Sequence, residues 1–463
     1  MSVAALRRDP IATVGAIGLG SAVGLIVARV PVGAIFLVLA TVGIVIVITR
    51  PDLVLLAMIV ALPWENKLHY PSATLSTVKG IGLVVMLSYL LRLAGNRRTK
   101  IHLPPLLGVV AALNIWVSVS LIASPIAPEG LQKLLRWALF FAFFFLLIQL
   151  IDSRREIQRA LRWFTASVAA AAIYALWLFV VSHSGYRVAG PLEDPNDFAY
   201  LLACALPIAG YLIGADRRLR PVWGAAFLLI AAAMLATFSR GALVGIGVVV
   251  VWGIVTRRIP MWVVVSGLAT TLVAAALAFT LWTPLLNTAL HEKNHVAQSN
   301  TESREAFWAA ALTLAERQPL MGIGPAAFPE DAVPLIRNNP IPLAHPVTHN
   351  SYLEILAENG VPALSLFLAY LVMVWFLLRR THGEAAGEDD VDGRRLATAL
   401  QGSLIVAVIS GTFLSEELTS PFWLLGGLAV VLARDSVRRT AHSRSYGQSG
   451  AMDLLPELVS PRA

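Results

Sequence analysis

The chain has 463 residues, 57% of them hydrophobic and only 14% charged, with a mean hydropathy of +0.71. Soluble domains carry about 25% charged residues, so the composition excludes an ordinary soluble protein and points to an all-α polytopic membrane protein. The formal net charge of +8 is explained by topology, because Lys and Arg collect in alternate loops; no nucleic-acid partner is expected. A single cysteine, Cys204, lies in an apolar run and excludes a disulfide framework or a cysteine metal site.

Apolar runs near the roughly 20 residues that cross a bilayer recur along the chain. They fall at 11–29, 31–49, 51–63, 78–94, 104–123, 131–151, 161–182, 197–214, 221–238, 241–256, 261–281, 361–378, 396–414 and 419–433. The expected fold is a transmembrane helix bundle of about 12–14 spans. Arg7 and Arg8 precede a full-length run, so the first segment reads as a span and not as a cleaved leader. With a cytoplasmic N-terminus, Arg50, Arg92, Arg154, Arg217, Arg257 and Arg379 all fall in inward loops, as the positive-inside rule requires. The chain divides into a first part of the bundle (1–281), a large outward loop (282–360), a last part of the bundle (361–433) and a tail (434–463). The tail, rich in Ser and Arg, is expected to be disordered, and the acidic stretch from Glu384 to Asp392 to be a solvated inward loop.

On this topology Lys133, Arg136, Arg187, Arg240, Arg304 and Arg317 are outward cations, on the face where the charge rule asks for none. Taken singly, such a side chain can snorkel to lipid headgroups. Several guanidinium groups around one cavity would instead match a diphosphate through bidentate hydrogen bonds.

Four local patterns carry chemistry. Asp194-Pro195-Asn196-Asp197 is turn and N-cap chemistry, and its paired acids are a weak cation signal. Thr237-Phe238-Ser239-Arg240-Gly241-Ala242 is a tight outward reversal between two spans. From Arg304 through Phe307, Trp308, Ala311 and Leu314 to Pro319 the apolar spacing predicts an amphipathic helix closed by the proline; a cation in its first turn opposes the helix dipole and suits a bound phosphate. Finally, Ser351 and Glu354 have the form of a capping box, Asn359-Gly360 a helix stop, and His349 has no capping duty, so it is available as a proton acceptor. His291, His295 and His345 read as ordinary loop histidines.

In their order and spacing these pieces, with Pro319-Leu320-Met321-Gly322-Ile323-Gly324 and His349-Asn350-Ser351-Tyr352-Leu353-Glu354, resemble the bacterial O-antigen ligase and polymerase superfamily over about 185–380. The ligase signature is His, then Asn, Ser or Gln, then nine residues and a Gly, which His349, Asn350 and Gly360 match; Ala363 stands where Gly, Thr or Tyr is usual. The resemblance implies a GT-C-like, metal-independent glycosyltransferase of the bacterial inner membrane, with its active site toward the periplasm and no cofactor. Its donor would be a glycan on undecaprenyl diphosphate, and its acceptor lipid A-core or another glycan. His349 and Arg240 would be catalytic, while Arg304, Arg187, Arg136, Asn350, Trp308, Asp194 and Asn196 would bind substrate. A polymerase of the same superfamily is the near alternative. A polysaccharide or lipid transporter is the distant one, opposed by the lack of internal repeats and of matched broken helices. No Gly-Lys-Ser/Thr run suggests a nucleotide site.

Overall fold

The computed structural model describes residues 43, 45–47, 49–67, 77–95, 100–182, 187–192, 194–259, 261, 267, 303–336, 347–387 and 390–453. Among them there is no strand: the protein is an all-α polytopic bundle. The helices are α1 (Pro51–Ala61), α2 (Thr77–Gly95), α3 (Pro105–Ser120), α4 (Ala127–Leu150), α5 (Arg154–Ser182), α6 (Pro195–Ala215), α7 (Arg220–Ala236), α8 (Arg240–Val255), α9 (303–317), α10 (Phe328–Ile336), α11 (Ser351–Gly387), α12 (Val391–Ser410) and α13 (Ser420–Asp453). Six of them are long and apolar enough to cross a membrane, and α1, α7 and α8 are shorter apolar helices. Most of the expected runs at 11–29 and 31–49, the run at 261–281 apart from residues 261 and 267, and the loop histidines His291, His295 and His345 lie outside the described residues.

Proline opens α1, α3, α4, α6 and α7 within the first two positions, where its missing N–H costs nothing. The centre of the bundle is α6, whose residues Phe198 to Leu206 are all buried, packed on α7 and α12. Small residues permit the close approaches: Gly402 faces Pro207, Gly245 faces Ser410, and buried Cys204 accepts from Ser403 Oγ at its carbonyl, 2.8 Å. Cys204 is thus a small core residue, as its apolar run implies.

Charge is gathered at the two ends of the bundle. At one end the Arg154 guanidinium meets Asp390 at 2.6 Å, Asp435 at 3.6 Å and Asp392 at 3.8 Å, and Tyr211 Oη donates to Asp392 at 3.0 Å. The acidic stretch is therefore not simply solvated: Asp390 and Asp392 tie the start of α12 to α5. Nor does the tail begin as a disordered segment at Arg434, because α13 runs on to Asp453. Arg434 pairs with Asp152 at 2.9 Å and Arg439 with Asp435 at 2.7 Å, one turn away, which gives that extension partners on and beyond the helix.

The opposite end holds the starts of α4, α6, α8 and α11. Here α9 and α10 build a small core of their own, with Phe307, Ala311, Leu314, Ile323, Phe328 and Ile336 closed over by Ala357 of α11. The helix from Arg304 ends at residue 317, just before Pro319, as its spacing predicts. The loop after it docks edge-on to α11: Ile323 N donates to Ala357 O and Gly324 N to Glu358 O, both at 2.9 Å, and Val361 N donates back to Pro319 O at 2.8 Å. At that point α11 breaks, with Gly360 at φ 77°, ψ 179°. A Cβ on Gly360 would lie 2.0 Å from Leu320 O, and one on Gly322, at φ +67°, 2.4 Å from the Glu358 carbonyl carbon. Trp116 Nε1 and Ser120 Oγ of α3 hold Asn359 from the other side, at 3.0 and 2.8 Å.

Gly360→Ala should therefore lower the thermal midpoint of the purified protein, with about 1–3 kcal/mol lost to backbone strain alone. Gly383→Ala, where nothing lies within 4 Å of the added carbon, should be neutral or gain up to about 1 kcal/mol of helix propensity. Equal midpoints for the two variants would refute the docking account.

Candidate functional site

The site lies where the loops before α6, α8 and α11 meet. Asp194 is the N-cap of α6, its Oδ1 accepting from Asn196 N at 2.6 Å and Asp197 N at 3.2 Å. Asn196 Oδ1 in turn accepts from Arg187 at 2.5 Å, while Arg187 Nε donates to Thr237 O at 2.6 Å. Arg187 thus bridges the start of α6 to the reversal before α8. That reversal is as tight as its sequence implies: Phe238 takes a φ of +52°, Ser239 N donates to Thr237 Oγ1 at 3.2 Å, and α8 starts at an exposed Arg240. Gly241 lets the reversal close on Phe413, whose Cβ would stand 3.3 Å from an added methyl.

Arg304, half-buried near the start of α9, lies within electrostatic reach of Arg187, Asp194 and Arg240. Burial lowers its pKa and the two neighbouring arginines add to that, with Asp194 opposing. His349 is half-buried, with a φ of +47° that is uncommon for a residue with a side chain. Burial holds its imidazole below the ordinary value; Arg304 acts in the same direction, and Asp194 and Glu354 oppose. The structure thus brings together His349, Arg304, Arg187, Arg240 and Asp194 around three helix N-termini, whose dipoles also favour negative charge.

Other expected site residues have structural duties. Asn350, not Ser351, caps α11: its Oδ1 accepts from Tyr352 N at 3.0 Å and Leu353 N at 3.1 Å. Ser351 is drawn instead to the loop after α12, its Oγ donating to Leu414 O at 2.9 Å and accepting from Glu416 N at 2.7 Å, so the expected capping box does not form. Trp308 Nε1 donates to Thr348 O at 2.9 Å, fixing the residue before His349. Arg136 acts electrostatically on Asp197, in the first turn of α6, and on Lys79, and it lines an apolar pocket between α1, α2 and α4. Arg317 is exposed at the far end of α9.

Lys133 departs most from expectation. Its ammonium meets Glu354 at 2.5 Å and Glu358 at 2.6 Å and lies 3.8 Å from Glu417, with only 14% of the side chain exposed. It is an internal ion partner and not a headgroup anchor. Thr348, Glu416 and Glu417 are buried beside the site and were not legible as site residues; a lysine in a largely apolar run was the one signal. Among the described residues no group of three or more His, Cys, Asp or Glu side chains is arranged to hold a metal ion.

No curated protein was found to match the chain. Residues 225–368 match the family model described as O-antigen ligase, a segment that contains Arg240, Arg304, Trp308, His349 and Asn350 and supports placing this multi-pass membrane protein in the O-antigen ligase superfamily.

Proposed function

We propose that the protein is an O-antigen ligase-like, GT-C-like glycosyltransferase that moves a glycan from undecaprenyl diphosphate to a sugar hydroxyl of lipid A-core on the periplasmic face of the bacterial inner membrane. The family implies a glycosyltransferase-like enzyme acting on lipid-linked glycans. The observation that carries the reading is the grouping of Arg187, Arg240 and Arg304 with a largely neutral His349. Three guanidinium groups suit a diphosphate, and a neutral imidazole suits proton abstraction.

In this mechanism His349 takes the proton of the acceptor hydroxyl as its oxygen attacks the anomeric carbon of the donor. The bond from that carbon to the diphosphate breaks, and the electron pair leaves with the diphosphate. Arg240, Arg304 and Arg187 offset the charge that gathers there, which is the preorganised electrostatic stabilisation that most lowers such barriers. Asn196 orients Arg187, while Trp308 and Asn350 hold the backbone on either side of His349. Asp194 balances the cluster. The donor bond already carries the free energy of transfer, so this mechanism calls on no nucleotide, metal or cofactor.

Arg240→Lys should retain the fold and lose at least about tenfold in transfer rate, or roughly 1.4 kcal/mol, since an ammonium lacks the planar fork. A fully active Lys variant would make Arg240 a headgroup anchor.

The acid limb of the rate profile should lie below the ordinary imidazole value of about 6.5, because a depressed pKa keeps the acceptor unprotonated further into acid. Arg304→Gln removes a cation that lowers the His349 pKa, so the residual activity should fail at higher pH than in the parent. A limb that stays in place or moves down would separate Arg304 from His349.

Cells carrying His349→Ala should accumulate long glycan on undecaprenyl diphosphate with bare lipid A-core, read from a profile of lipid-linked intermediates. Lipid A-core capped with single repeats would move the assignment to a polymerase. Short lipid-linked glycan stranded on the cytoplasmic side would move it to a transporter.

A further inference from the structure

His349 stands between two charged layers, and the mechanism above uses one of them. On the other side lies wholly buried Thr348, whose Oγ1 donates to Glu354 Oε2 at 2.8 Å and is 3.0 Å from Ser415 Oγ. The second carboxylate oxygen of Glu354 accepts from Lys133 at 2.5 Å. Capping does not explain Glu354, since Asn350 caps the helix and the carboxylate turns across to α4. Simple packing does not explain it either, because an apolar residue would fill the space without the desolvation cost of a buried ion pair. What the pair does locally is fix the residue before His349. A φ of +47° at a non-glycine position persists only where its surroundings over-determine it. Here Thr348 is held at both its hydroxyl and its carbonyl, and Asn350 at its side chain.

We infer that Lys133 and Glu354 are positioning residues for His349, acting through the Thr348 hydroxyl to hold the imidazole at the arginine cluster as a proton acceptor. This rests on His349 being the general base. The charged groups that face His349 are Arg304 from α9, Asp194 from the cap of α6 and Glu354 from the first turn of α11. Behind Arg304 stand Arg187 and Arg240. Behind Glu354 stand Lys133, Glu358 and Glu417. Glu354 is thus the nearby carboxylate that Lys133 anchors, and it raises the basicity that burial and Arg304 depress.

The test uses the full chain in lipid nanodiscs, with a polyprenyl-diphosphate glycan as donor and lipid A-core as acceptor, and reports rate per folded protein across acid to neutral pH. Glu354→Gln should lower kcat at least about tenfold with little change in the donor KM, and should move the acid limb to lower pH, because the carboxylate that raised the imidazole is gone. Thr348→Val should lower kcat similarly, Thr348→Ser should restore it, and Lys133→Met should reproduce the kcat loss. A merely structural role would reduce the folded yield and leave the acid limb of the surviving protein in place; that result overturns the inference. Should Glu354→Gln fail to fold, equal kcat for Thr348→Val and Thr348→Ser overturns it instead. His349→Ala run alongside separates the two levels. An active His349→Ala defeats the general-base reading itself, whereas an inactive one beside an unmoved Glu354→Gln limb defeats the positioning role alone.

Discussion

One ammonium group organises the end of the bundle that holds the site. Lys133 comes from α4, Glu354 and Glu358 from the nine residues of α11 before its break, and Glu417 from the loop between α12 and α13. Separating α4 from α11 would leave a buried ion uncompensated, a change that typically costs about 3–5 kcal/mol. Three carboxylates outnumber one ammonium, and a proton on Glu417 offsets part of the difference. Burial and the neighbouring Glu354 push the Glu417 carboxyl up to about 8, so it holds its proton at neutral pH. Next to it, burial and Asp197 push the Glu416 carboxyl well up. Of the two carboxylates held closest to Lys133, Glu354 is the one hydrogen-bonded to the residue before His349.

The parts of this arrangement that local chemistry dictates are the parts legible in the sequence. Apolar runs of bilayer length become helices because backbone groups in lipid must be satisfied within one segment. The reversal at Thr237 to Arg240, the stop at Gly360 and the end of α9 before Pro319 follow from residue types with few conformational choices. The parts decided by distant partners were not legible. Lys133 sits in an apolar run like a headgroup anchor, and its glutamates are more than two hundred positions away. Asn350 and Ser351 offer two registers for the same cap, and hydrogen bonds from the loop after α12 decide between them by claiming the serine. Asp390 and Arg434 look solvated until α5 and Asp152 are brought against them.

The interval between His349 and Gly360 has a physical meaning of its own. It spans one short helix, Ser351 to Asn359, about 13 Å at 1.5 Å per residue. One end of that helix is capped beside His349. The other ends where the loop of Gly322 and Gly324 lays its backbone against Ala357 and Glu358 and the Leu320 carbonyl occupies the space of a Cβ. Lengthening or shortening the helix by one residue would rotate its capped end by about 100°, since a turn takes 3.6 residues, and would carry His349 away from Arg304. Spacing and residue type are thus fixed together, by a docking contact at one end and a charge cluster at the other.

Arg304 does two things in that cluster. As a cation it favours an anion between α8 and α11, and by the same charge it adds to the burial that lowers the pKa of His349. A lone histidine beside a diphosphate would be drawn toward the protonated form, which binds the anion but cannot accept a proton. Three guanidinium groups would meet a bound anion's charge first and leave the imidazole free, while Glu354, anchored by Lys133, opposes the fall in its basicity. An anion bound among the arginines would offset Arg304 and let the imidazole regain basicity while the donor is in place. The opposing charges on the two sides of His349 thus suit a proton acceptor that must work next to a negatively charged leaving group.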